Sequence, residues 1–366
     1  MEKLRKLYPN YKLLITFFSP SGYEVRKNYE GADYVFYMPL DSKENAARFF
    51  EIVKPALIIF IKYEFWNHYL QEARQRQIPV LLISAIFRKS QPFFFKKGHF
   101  HRGMLSCFTH FFVQNEESVS LLKSIGFENV SLTGDTRFDR VAEIADAFEP
   151  IDLIEQFCEG NDVIVAGSTW SEDDKDLAHY ANSRTNYKFI IAPHNIVKDR
   201  LNECLRLYKN SVLYSELSQK SKVKSQNEQS LDDASSHNTQ HTTHNTIIVD
   251  NIGMLCRLYK YATVSYVGGG FGDDGVHNVL EPAVYGRPVV FGPVYEKYIE
   301  AAELVETGGG ESVESALELE ATLDALLKKD EAYLSKCQAS HHYVYGKKGS
   351  TEKIISFIQA KRLLTN

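Results

Sequence analysis

The sequence predicts an α/β protein with two doubly wound, parallel-sheet domains. Two observations support this: short apolar runs alternate with segments of helical spacing, and the alternation restarts after residue 145 or so. Continuous apolar runs separated by helices are typical of parallel strands covered on both faces. Since such sheets bind ligands at the carboxyl ends of their strands, a cleft between the two domains is the expected binding region.

The predicted first domain, residues 1–145, opens with the charged end of a helix, MEKLRKLYPN. Its strands are predicted at the apolar runs YKLLITFF, YVFYMPL, ALIIFIKY, VLLISAIF and HFFVQ. Stretches with helical spacing lie between them, among them SKENAARFFEIVKP and WNHYLQEARQRQIP. We therefore expect one parallel sheet covered by helices.

The predicted second domain, residues 146–350, repeats this arrangement. Strands are predicted at DVIVAGS, YKFIIAPH, TIIVDN, ATVSYVGG and PVVFGP, with helices in SEDDKDLAHYAN and VKDRLNECLRLY. A final helix at 351–366 is expected to pack back on the first domain. Residues 215–246 are polar and rich in Ser, Gln, Asn and His, which predicts a flexible loop. His237, His241 and His244 have the spacing of metal ligands, but the loop composition favours disorder there.

Composition excludes several classes of protein. The chain has 366 residues, 44% of them hydrophobic, and a formal net charge of -5, so an anionic partner would need a local basic patch and nucleic acid is not expected. The five cysteines are scattered without CxxC spacing, which favours reduced thiols over disulfides or zinc. No apolar run is long enough for a spanning helix, and the first residues do not have the pattern of a signal peptide.

A GxGxxG match occurs at Gly270, Gly272 and Gly275, the spacing found in many dinucleotide sites. Here Asp273 and Asp274 lie inside the turn, where they would repel a pyrophosphate, and the preceding strand comes late in its domain. The match is therefore interpreted as coincidental, and no dinucleotide cofactor is expected.

The same glycine turn fits a different ligand better. Glycines allow close approach of a ligand to the backbone, and a helix opening near His277 and Asn278 would offer free amides to a single phosphate. Glu281 would lie in the first helical turn, placed to accept hydrogen bonds from ribose hydroxyls. A plain tight turn, with Glu281 as a favourable N-terminal charge, is the structural alternative.

Eight segments in order carry a family resemblance: YEFWNHYL, LLISAIFRKS, FFVQNEESVSLLKSIGF, TGDTRFDRV, AGSTWSEDD, IIAPHN, DNIGMLCRLYKYATVSYVGGGF and HNVLEPA. Together they resemble the transferases of 3-deoxy-D-manno-octulosonic acid (Kdo) in lipopolysaccharide synthesis, which have the two-domain GT-B glycosyltransferase fold. The resemblance implies an inverting enzyme that moves Kdo from CMP-Kdo to a lipid A precursor, lipid IVA. It also implies that the enzyme needs neither a metal nor a cofactor. The implied location is the cytoplasmic face of the inner membrane of a Gram-negative bacterium.

Three motifs of that family contact CMP, and the resemblance carries their roles to this chain. With the glycine turn included, the implied CMP-binding residues are Pro193, His194, Gly253, Met254, Leu255, Gly269, Gly270, Asn278, Val279, Leu280 and Glu281. Members often have Arg at the place of His194 and an acid at the place of Met254. A neutral imidazole is a weaker phosphate partner than a guanidinium.

Two residues of the first domain carry implied catalytic roles. Arg137 in GDTRFD occupies the place of a Lys that stabilises the transition state in the family, and a surface Arg is the alternative. Glu64 in KYEFW matches an acid of the family's ETELW motif, whose preceding acid is replaced by Lys62. A buried Glu64 paired with Lys62 or Arg88 is the competing interpretation.

Family members begin with a membrane helix, a strand and an HxxSxGE loop whose Glu is the general base. The first residues of this sequence match the helix after that loop, so the resemblance implies an N-terminally truncated chain that lacks the first strand and the base. Loss of a general base typically slows transfer about 10²–10⁴-fold. The rival hypotheses are a different GT-B enzyme, such as a nucleotide-sugar epimerase, and a non-catalytic nucleotide-binding remnant.

Two further segments invite a functional interpretation. Residues 87–104, FRKSQPFFFKKGHFHRGM, mix cations with phenylalanines, which predicts either contact with an anionic membrane surface or a helix with an aromatic core and a wet cationic face. The acidic run SEDDKD could hold a metal, but it follows Ser168 and Thr169 as a capped helix start would, so no metal site is expected.

Overall fold

The computed structural model describes residues 1–219 and 244–365, which form two compact units. The first unit contains Met1–Asp139 and the chain from Lys348 on, and the second contains Arg140–Lys347. The division thus lies slightly before the predicted boundary near residue 145. Both units are α/β structures in which every strand pair is parallel.

The first unit alternates strands with helices along most of its length. Its strands are β1 (Leu14–Phe17), β2 (Tyr34–Tyr37), β3 (Ile58–Ile61), β4 (Val80–Ala85), β5 (His110–Val113) and β6 (Val130–Leu132). Its helices are α1 (Glu2–Leu7), α2 (Pro20–Arg26), α3 (Lys43–Val53), α4 (Asn67–Gln75), a 3₁₀ turn at Pro92–Phe94, α5 (His99–Leu105), α6 (Glu116–Ser124) and α7 (Thr136–Asp146), which leads into the second unit.

These strands form two sheets instead of the single sheet expected. The larger sheet has the order β3-β4-β5-β6, and β1 pairs with β2 in a separate two-stranded sheet. The difference follows from pairing, because β1 bonds to β2 in the register Leu14↔Tyr34 and not to β3. The larger sheet is packed with aromatic side chains, among them the fully buried Phe111 and Phe112, each worth roughly 1.5–3 kcal/mol of hydrophobic stabilisation.

The second unit alternates seven strands with helices among its described residues. Its strands are β7 (Val163–Thr169), β8 (Lys188–Pro193), β9 (Ser211–Leu213), β10 (Thr246–Ile248), β11 (Val264–Val267), β12 (Val289–Phe291) and β13 (Gly310–Ser312). Its helices are the end of α7, α8 (Asp152–Cys158), α9 (Ser171–Ser183), α10 (Lys198–Leu207), α11 (Leu255–Leu258) with a 3₁₀ turn at Tyr259–Tyr261, α12 (Leu280–Ala283), α13 (Ile299–Glu306), α14 (Ala316–Leu326) and α15 (Glu331–Gly346).

All seven strands belong to one sheet of order β13-β12-β11-β7-β8-β10-β9. The chain starts this sheet at β7 and places β8 beside it. It then forms β9 at the edge, inserts β10 between β8 and β9, and crosses to β11 on the other side of β7. The strand order therefore reverses beside β7, and ligands of doubly wound sheets bind outside the carboxyl ends of the strands at such a point. The core beneath it is formed by fully buried strand residues such as Ile164, Phe189 and Tyr266.

The final helix α16 (Ser350–Ala360) belongs to the first unit. The hydroxyl of Ser350 donates to the carbonyl of Thr133 at 2.7 Å, and Phe357 packs against His110 at a ring distance of 4.3 Å. Ile354 and Ile358 are buried in a cluster with β4 and β5.

The predicted polar loop at 215–246 falls mostly outside the described residues, as do His237 and His241. Its described ends differ from the expectation, because residues 215–219 are helical and Thr246 begins β10. Among the helices that the structure describes, none combines the length and the apolarity that crossing a membrane requires.

Candidate functional site

A break in the regularity of β7 shapes the edge of the second unit's sheet. Ser168 has φ 55°, and the pairing of β7 with β8 shifts register between Gly167 and Thr169. A left-handed Ser costs on the order of 1–3 kcal/mol and persists only where neighbouring contacts hold it. Here the Thr169 carbonyl accepts from the His194 amide at 2.9 Å and the Gly167 carbonyl accepts from the Gly268 amide at 2.9 Å. The bulge thus joins β7 to the segments that follow both neighbouring strands.

The glycines after β11 are required by close backbone packing. A Cβ on Gly268 would lie 2.4 Å from the carbonyl oxygen of Ser168, and one on Gly270 would lie 2.6 Å from the amide nitrogen of Gly292. Gly269 has φ 92°, and its Cβ would lie 2.5 Å from the carbonyl oxygen of Gly275. The glycine turn is therefore a fixed, tightly packed feature of the site.

Asp173 fastens the glycine turn to the start of α9. Its buried carboxylate accepts from the amides of Trp170 at 2.8 Å and Gly269 at 2.9 Å, and from the hydroxyl of Tyr266 at 2.7 Å. Burial raises the pKa of Asp173 while these three hydrogen bonds act to lower it. The acid is thus a structural tie between two strand ends.

The adjacent Asp174 has a separate set of partners. It is fully buried, forms a short ion pair with Arg200, and accepts from the hydroxyl of Tyr208 at 2.8 Å. SEDDKD therefore starts a helix, as expected, with Trp170 as its N-cap residue. Within residues 1–219 and 244–365 no group of three or more His, Cys, Asp or Glu side chains could hold a metal ion.

Three aromatic rings meet beside the glycine turn, in a contact that sequence reasoning missed. The indole Nε1 of Trp170 donates to Nε2 of His277 at 2.9 Å, with their ring planes 12° apart. His194 stacks on both rings, at centroid distances of 4.6 Å from Trp170 and 4.4 Å from His277. Burial lowers the pKa of both histidines, and the carboxylate of Asp274 opposes this. His194 had been implicated by the resemblance, whereas no local signal pointed to Trp170 or His277 as its partners.

The helix predicted to open near His277 and Asn278 starts two residues later, and Glu281 lies in its first turn. Helix α12 begins at Leu280 and has four residues, so it offers too short a run of aligned peptides for a strong N-terminal field. Val279 and Leu280 are fully buried, which leaves only their backbone for contact with a ligand. Asn278 donates to the Oε1 of Glu281 at 3.0 Å, and burial raises the pKa of Glu281.

The segment before β11 lies beside Glu281. Burial, followed by the charge of Glu281, raises the pKa of Cys256 to about 12, and the same two causes, in the same order, raise the pKa of Tyr259. Leu255 packs against Gly167, where a Cβ would lie 2.6 Å from its methyl carbon. The structure therefore brings the Leu255 region, the glycine turn and Glu281 to one edge of the sheet.

The remaining predicted CMP contacts line that edge as well. Pro193 ends β8 and is buried, whereas His194 after it is exposed. Gly253 has φ 95° with open space where a side chain would begin, and Met254 accepts through Sδ from the amide of Asn251 at 2.8 Å. At this edge His194 and Gly253 are exposed, whereas Met254 is half-buried.

In the first unit, Arg137 belongs to a cluster that sequence reasoning did not identify. Asp135, 2% exposed, accepts from the backbone amide of Arg137 at 2.8 Å and from its Nε at 2.8 Å. Lys62, at φ 62°, reaches the same carboxylate at 3.7 Å. A buried acid therefore fixes two cations after β3 and β6.

Glu64 does not follow the buried-pair interpretation. Its side chain is exposed and accepts a short hydrogen bond from the indole Nε1 of Trp66, while Lys62 pairs with Asp135 and Arg88 lies over the ring of Tyr63 at 5.7 Å. The carboxylate of Glu64 is thus held by a neutral donor at the surface of the unit.

The segment 87–104 has features of both predicted alternatives, an aromatic core and an exposed cationic and apolar surface. Phe87 and Phe93 are buried in the aromatic core, whereas Phe95 and Phe100 are 51% and 64% exposed. Lys96 and Lys97 are exposed between them. The outer part of the segment therefore presents apolar rings and cations together.

Comparison with known proteins gives matches over both halves of the chain. A family model described as 3-Deoxy-D-manno-octulosonic-acid transferase (kdotransferase) matches residues 1–140. A bifunctional glycosyltransferase/methyltransferase of Fusobacterium nucleatum is 26% identical over 365 residues, which cover 96% of this chain and 51% of that protein. A 3-deoxy-D-manno-octulosonic acid transferase of Aquifex aeolicus is 26% identical over 88% of this chain and 81% of its own length. The chain thus spans about half the length of the first relative and most of the second.

Among solved structures, a UDP-GlcNAc 2-epimerase from Neisseria meningitidis aligns with a TM-score of 0.64 at 15% identity, covering 98% of this chain and 96% of that one. At this identity the likeness shows the fold alone, which is the GT-B arrangement of two doubly wound domains.

Proposed function

Because this chain belongs to the Kdo transferase family and has the GT-B fold, we propose that it is a glycosyltransferase that moves Kdo from CMP-Kdo to a lipid A precursor, with inversion at the anomeric carbon. The observation that carries the proposal is the position of the glycine turn, His194 and Glu281 at the reversal of strand order in the second unit. A nucleotide site is expected at that edge of a doubly wound sheet.

The proposed donor site uses each group according to its chemistry. Glu281 would accept hydrogen bonds from the vicinal ribose hydroxyls, since a carboxylate has two acceptor oxygens and Asn278 occupies only one of them. The open backbone at Gly253 allows the nucleotide to approach closely. His194, exposed on one side, would face the phosphate.

Negative charge grows on the CMP phosphate as the glycosidic bond breaks, and a fixed cation is needed to stabilise it. We assign this role to Arg137, whose guanidinium Asp135 holds in place before substrate arrives. Glu64 is assigned to the acceptor side. We assign no residue of this chain to the general base.

Contact with the membrane that supplies the lipid acceptor is proposed for Phe95, Lys96, Lys97 and Phe100. Exposed rings would enter the interfacial region while the lysines meet anionic headgroups at the cytoplasmic face of the inner membrane. The test is sedimentation with anionic liposomes of wild type and Lys96→Glu/Lys97→Glu, with Lys328→Glu/Lys353→Glu as a control of equal charge change. Weaker binding of Lys96→Glu/Lys97→Glu alone supports the membrane contact, and equal binding of all three proteins refutes it.

The enzymatic test is transfer from CMP-Kdo to lipid IVA by the purified chain. We expect Arg137→Ala to lower the transfer rate by about 10²–10³-fold, the usual loss of one transition-state donor, and Arg137→Lys to keep most of the rate. CMP binding without any transfer would favour a non-catalytic nucleotide-binding protein. Turnover of UDP-N-acetylglucosamine with no affinity for CMP would favour the epimerase alternative and refute the proposal.

A further inference from the structure

The rings of Trp170, His194 and His277 have an arrangement that fixes the state of one histidine. Trp170 and His277 are nearly parallel and are joined edge to edge by the 2.9 Å hydrogen bond, so they lie side by side in one layer. His194 stacks on both, so it covers the junction between them. Trp170 and His277 are 107 positions apart along the chain, so the three rings meet only because three strand ends lie together here.

Hydrogen-bond chemistry decides the tautomer of His277. An indole Nε1 only donates, so Nε2 of His277 must be the acceptor and cannot carry a proton. The neutral ring then has its proton on Nδ1. Protonation of Nε2 would break the bond to Trp170, so this bond keeps His277 neutral.

His194 has no such restraint on its exposed side. It stacks on His277 at 4.4 Å, and two imidazolium ions at that spacing would repel each other. Only one of the two rings can therefore become charged easily, and Trp170 already favours the neutral form of His277. An anion that binds at this edge would therefore favour the protonated form of His194.

The other charged groups around the rings do not change this assignment. Asp274, in the glycine turn, acts on both histidines and favours their charged forms. Asp173 is engaged by two amides and a hydroxyl at the start of α9, and Lys297 donates to the carbonyl of Asp273 at 2.8 Å. Because Asp274 favours the charged form of both rings, it does not determine which of the two histidines becomes protonated.

We propose that Trp170, His277 and His194 act as one unit in the nucleotide site, in which Trp170 holds His277 neutral and His194 takes up a proton when a nucleotide phosphate binds. Trp170 and His277 are then positioning residues, and His194 is the group that meets the phosphate as a charge-assisted donor. This inference rests on the proposed nucleotide site and adds to it the protonation state of each ring.

Linkage gives the sign of the effect. The pKa of His194 lies below its ordinary value in the free protein because of burial, and a bound phosphate raises it. Proton and nucleotide therefore bind together. The proton on His194 therefore contributes to nucleotide affinity below the raised pKa of the complex, and this contribution is lost as the pH rises through that pKa.

The chain offers a direct reporter, because it has two tryptophans, Trp66 and Trp170. In the Trp66→Phe protein, Trp170 is the single indole, and an imidazolium in contact with it quenches its fluorescence. We expect emission to fall on acidification, with a midpoint below about pH 6.5, the ordinary value for His. Saturating CMP should move the midpoint upward by about one unit or more.

Two matched variants in the Trp66→Phe background separate the histidines. With His194→Asn, the quench should be lost or move to much lower pH, because Trp170 holds His277 neutral, and CMP should no longer move the midpoint and should bind about tenfold more weakly. With His277→Asn, the amide can still accept from Trp170, and the CMP-dependent shift should persist. Circular dichroism of each variant establishes that it is folded.

Each failure has a distinct meaning. A shift that persists in His194→Asn, or disappears in His277→Asn, overturns the assignment of the proton to His194. Absence of any quench in the nucleotide-free protein overturns the ring unit itself. Normal quenching together with no CMP binding to the parent chain refutes the proposed nucleotide site and, with it, the role of His194 toward a phosphate.

Discussion

The hydrogen bond from Tyr266 to Asp173 allows the stability and the ligand affinity of the second unit to be tested separately. Tyr266 is fully buried on β11, and its hydroxyl donates to Oδ1 of Asp173 at 2.7 Å. Tyr266→Phe removes one hydrogen bond to a carboxylate and leaves that oxygen without its donor. We expect a loss of about 1.5–3 kcal/mol in the free energy of unfolding, which corresponds to a fall in Tm of roughly 3–12 °C in a unit of this size.

The same substitution should also weaken CMP binding, because Asp173 holds the amides of Trp170 and Gly269. Tyr208→Phe is the matched control. Tyr208 is equally buried, and its hydroxyl donates to Asp174 at 2.8 Å, away from the glycine turn. Urea unfolding followed by circular dichroism should show similar destabilisation in both variants, and titration with CMP should show weaker binding in Tyr266→Phe alone.

Two results would contradict this reasoning. An unchanged urea midpoint in Tyr266→Phe would mean that the bond to Asp173 gives no net stabilisation. Equal loss of CMP affinity in both variants would mean that general loosening of the unit, and not the tie between Asp173 and the glycine turn, controls binding.

Three further predictions follow from single contacts. Gly269→Ala should destabilise the protein more than Gly126→Ala, since both residues have φ near 90° but only the new Cβ at 269 meets backbone, and urea midpoints that are equal would contradict the packing argument. Asp174→Ala should cost about 1–3 kcal/mol, because the buried hydroxyl of Tyr208 loses its acceptor while Arg200 keeps its pair with Glu203, and a loss below about 1 kcal/mol in urea unfolding would show that water replaces the carboxylate. Burial lowers the pKa of His110 to about 4, so stability should fall as pH drops from about 6.5 toward 4 while the unfolded chain takes up the proton; His110→Gln should flatten that loss, and an identical pH dependence in both proteins would exclude it.

The apolar runs of the sequence predicted most strands because their burial on both faces leaves a strong signal. VLLISAIF and ATVSYVGG contain β4 and β11, whose residues are almost all buried. The strands Ser211–Leu213 and Gly310–Ser312 were not predicted, because each has three residues at an edge of its sheet. The split of the first unit into two sheets depends on which strands pair, and a local pattern of hydrophobicity holds no information about that.

The sequence located the glycine turn correctly, because consecutive glycines, which lack side chains, are a local signal for close backbone packing. The next helix starts at Leu280, two residues after the predicted opening, and the side chain of Asn278 bonds to Glu281 and to the amide of Leu280 at its start. The contact between Trp170 and His277 joins residues 107 positions apart and therefore depends on sheet order.

Asp173 and Asp174 show why an acidic run alone does not define a site. Neighbouring residues on a helix point in directions about 100° apart. Asp173 therefore faces the glycine turn and Asp174 faces Arg200, although the sequence offers no distinction between them.

One short segment, residues 167–174, contacts several other parts of the candidate site. Gly167 allows close packing of Leu255, the Ser168 carbonyl lies under Gly268, and Trp170 and Asp173 bind His277 and Gly269. Because these contacts share one backbone bulge, loss of one contact should also displace the atoms that form the others. Substitutions at Tyr266 and His277 should therefore combine non-additively in CMP affinity, since both act through this segment, whereas either should be additive with a substitution at Tyr208.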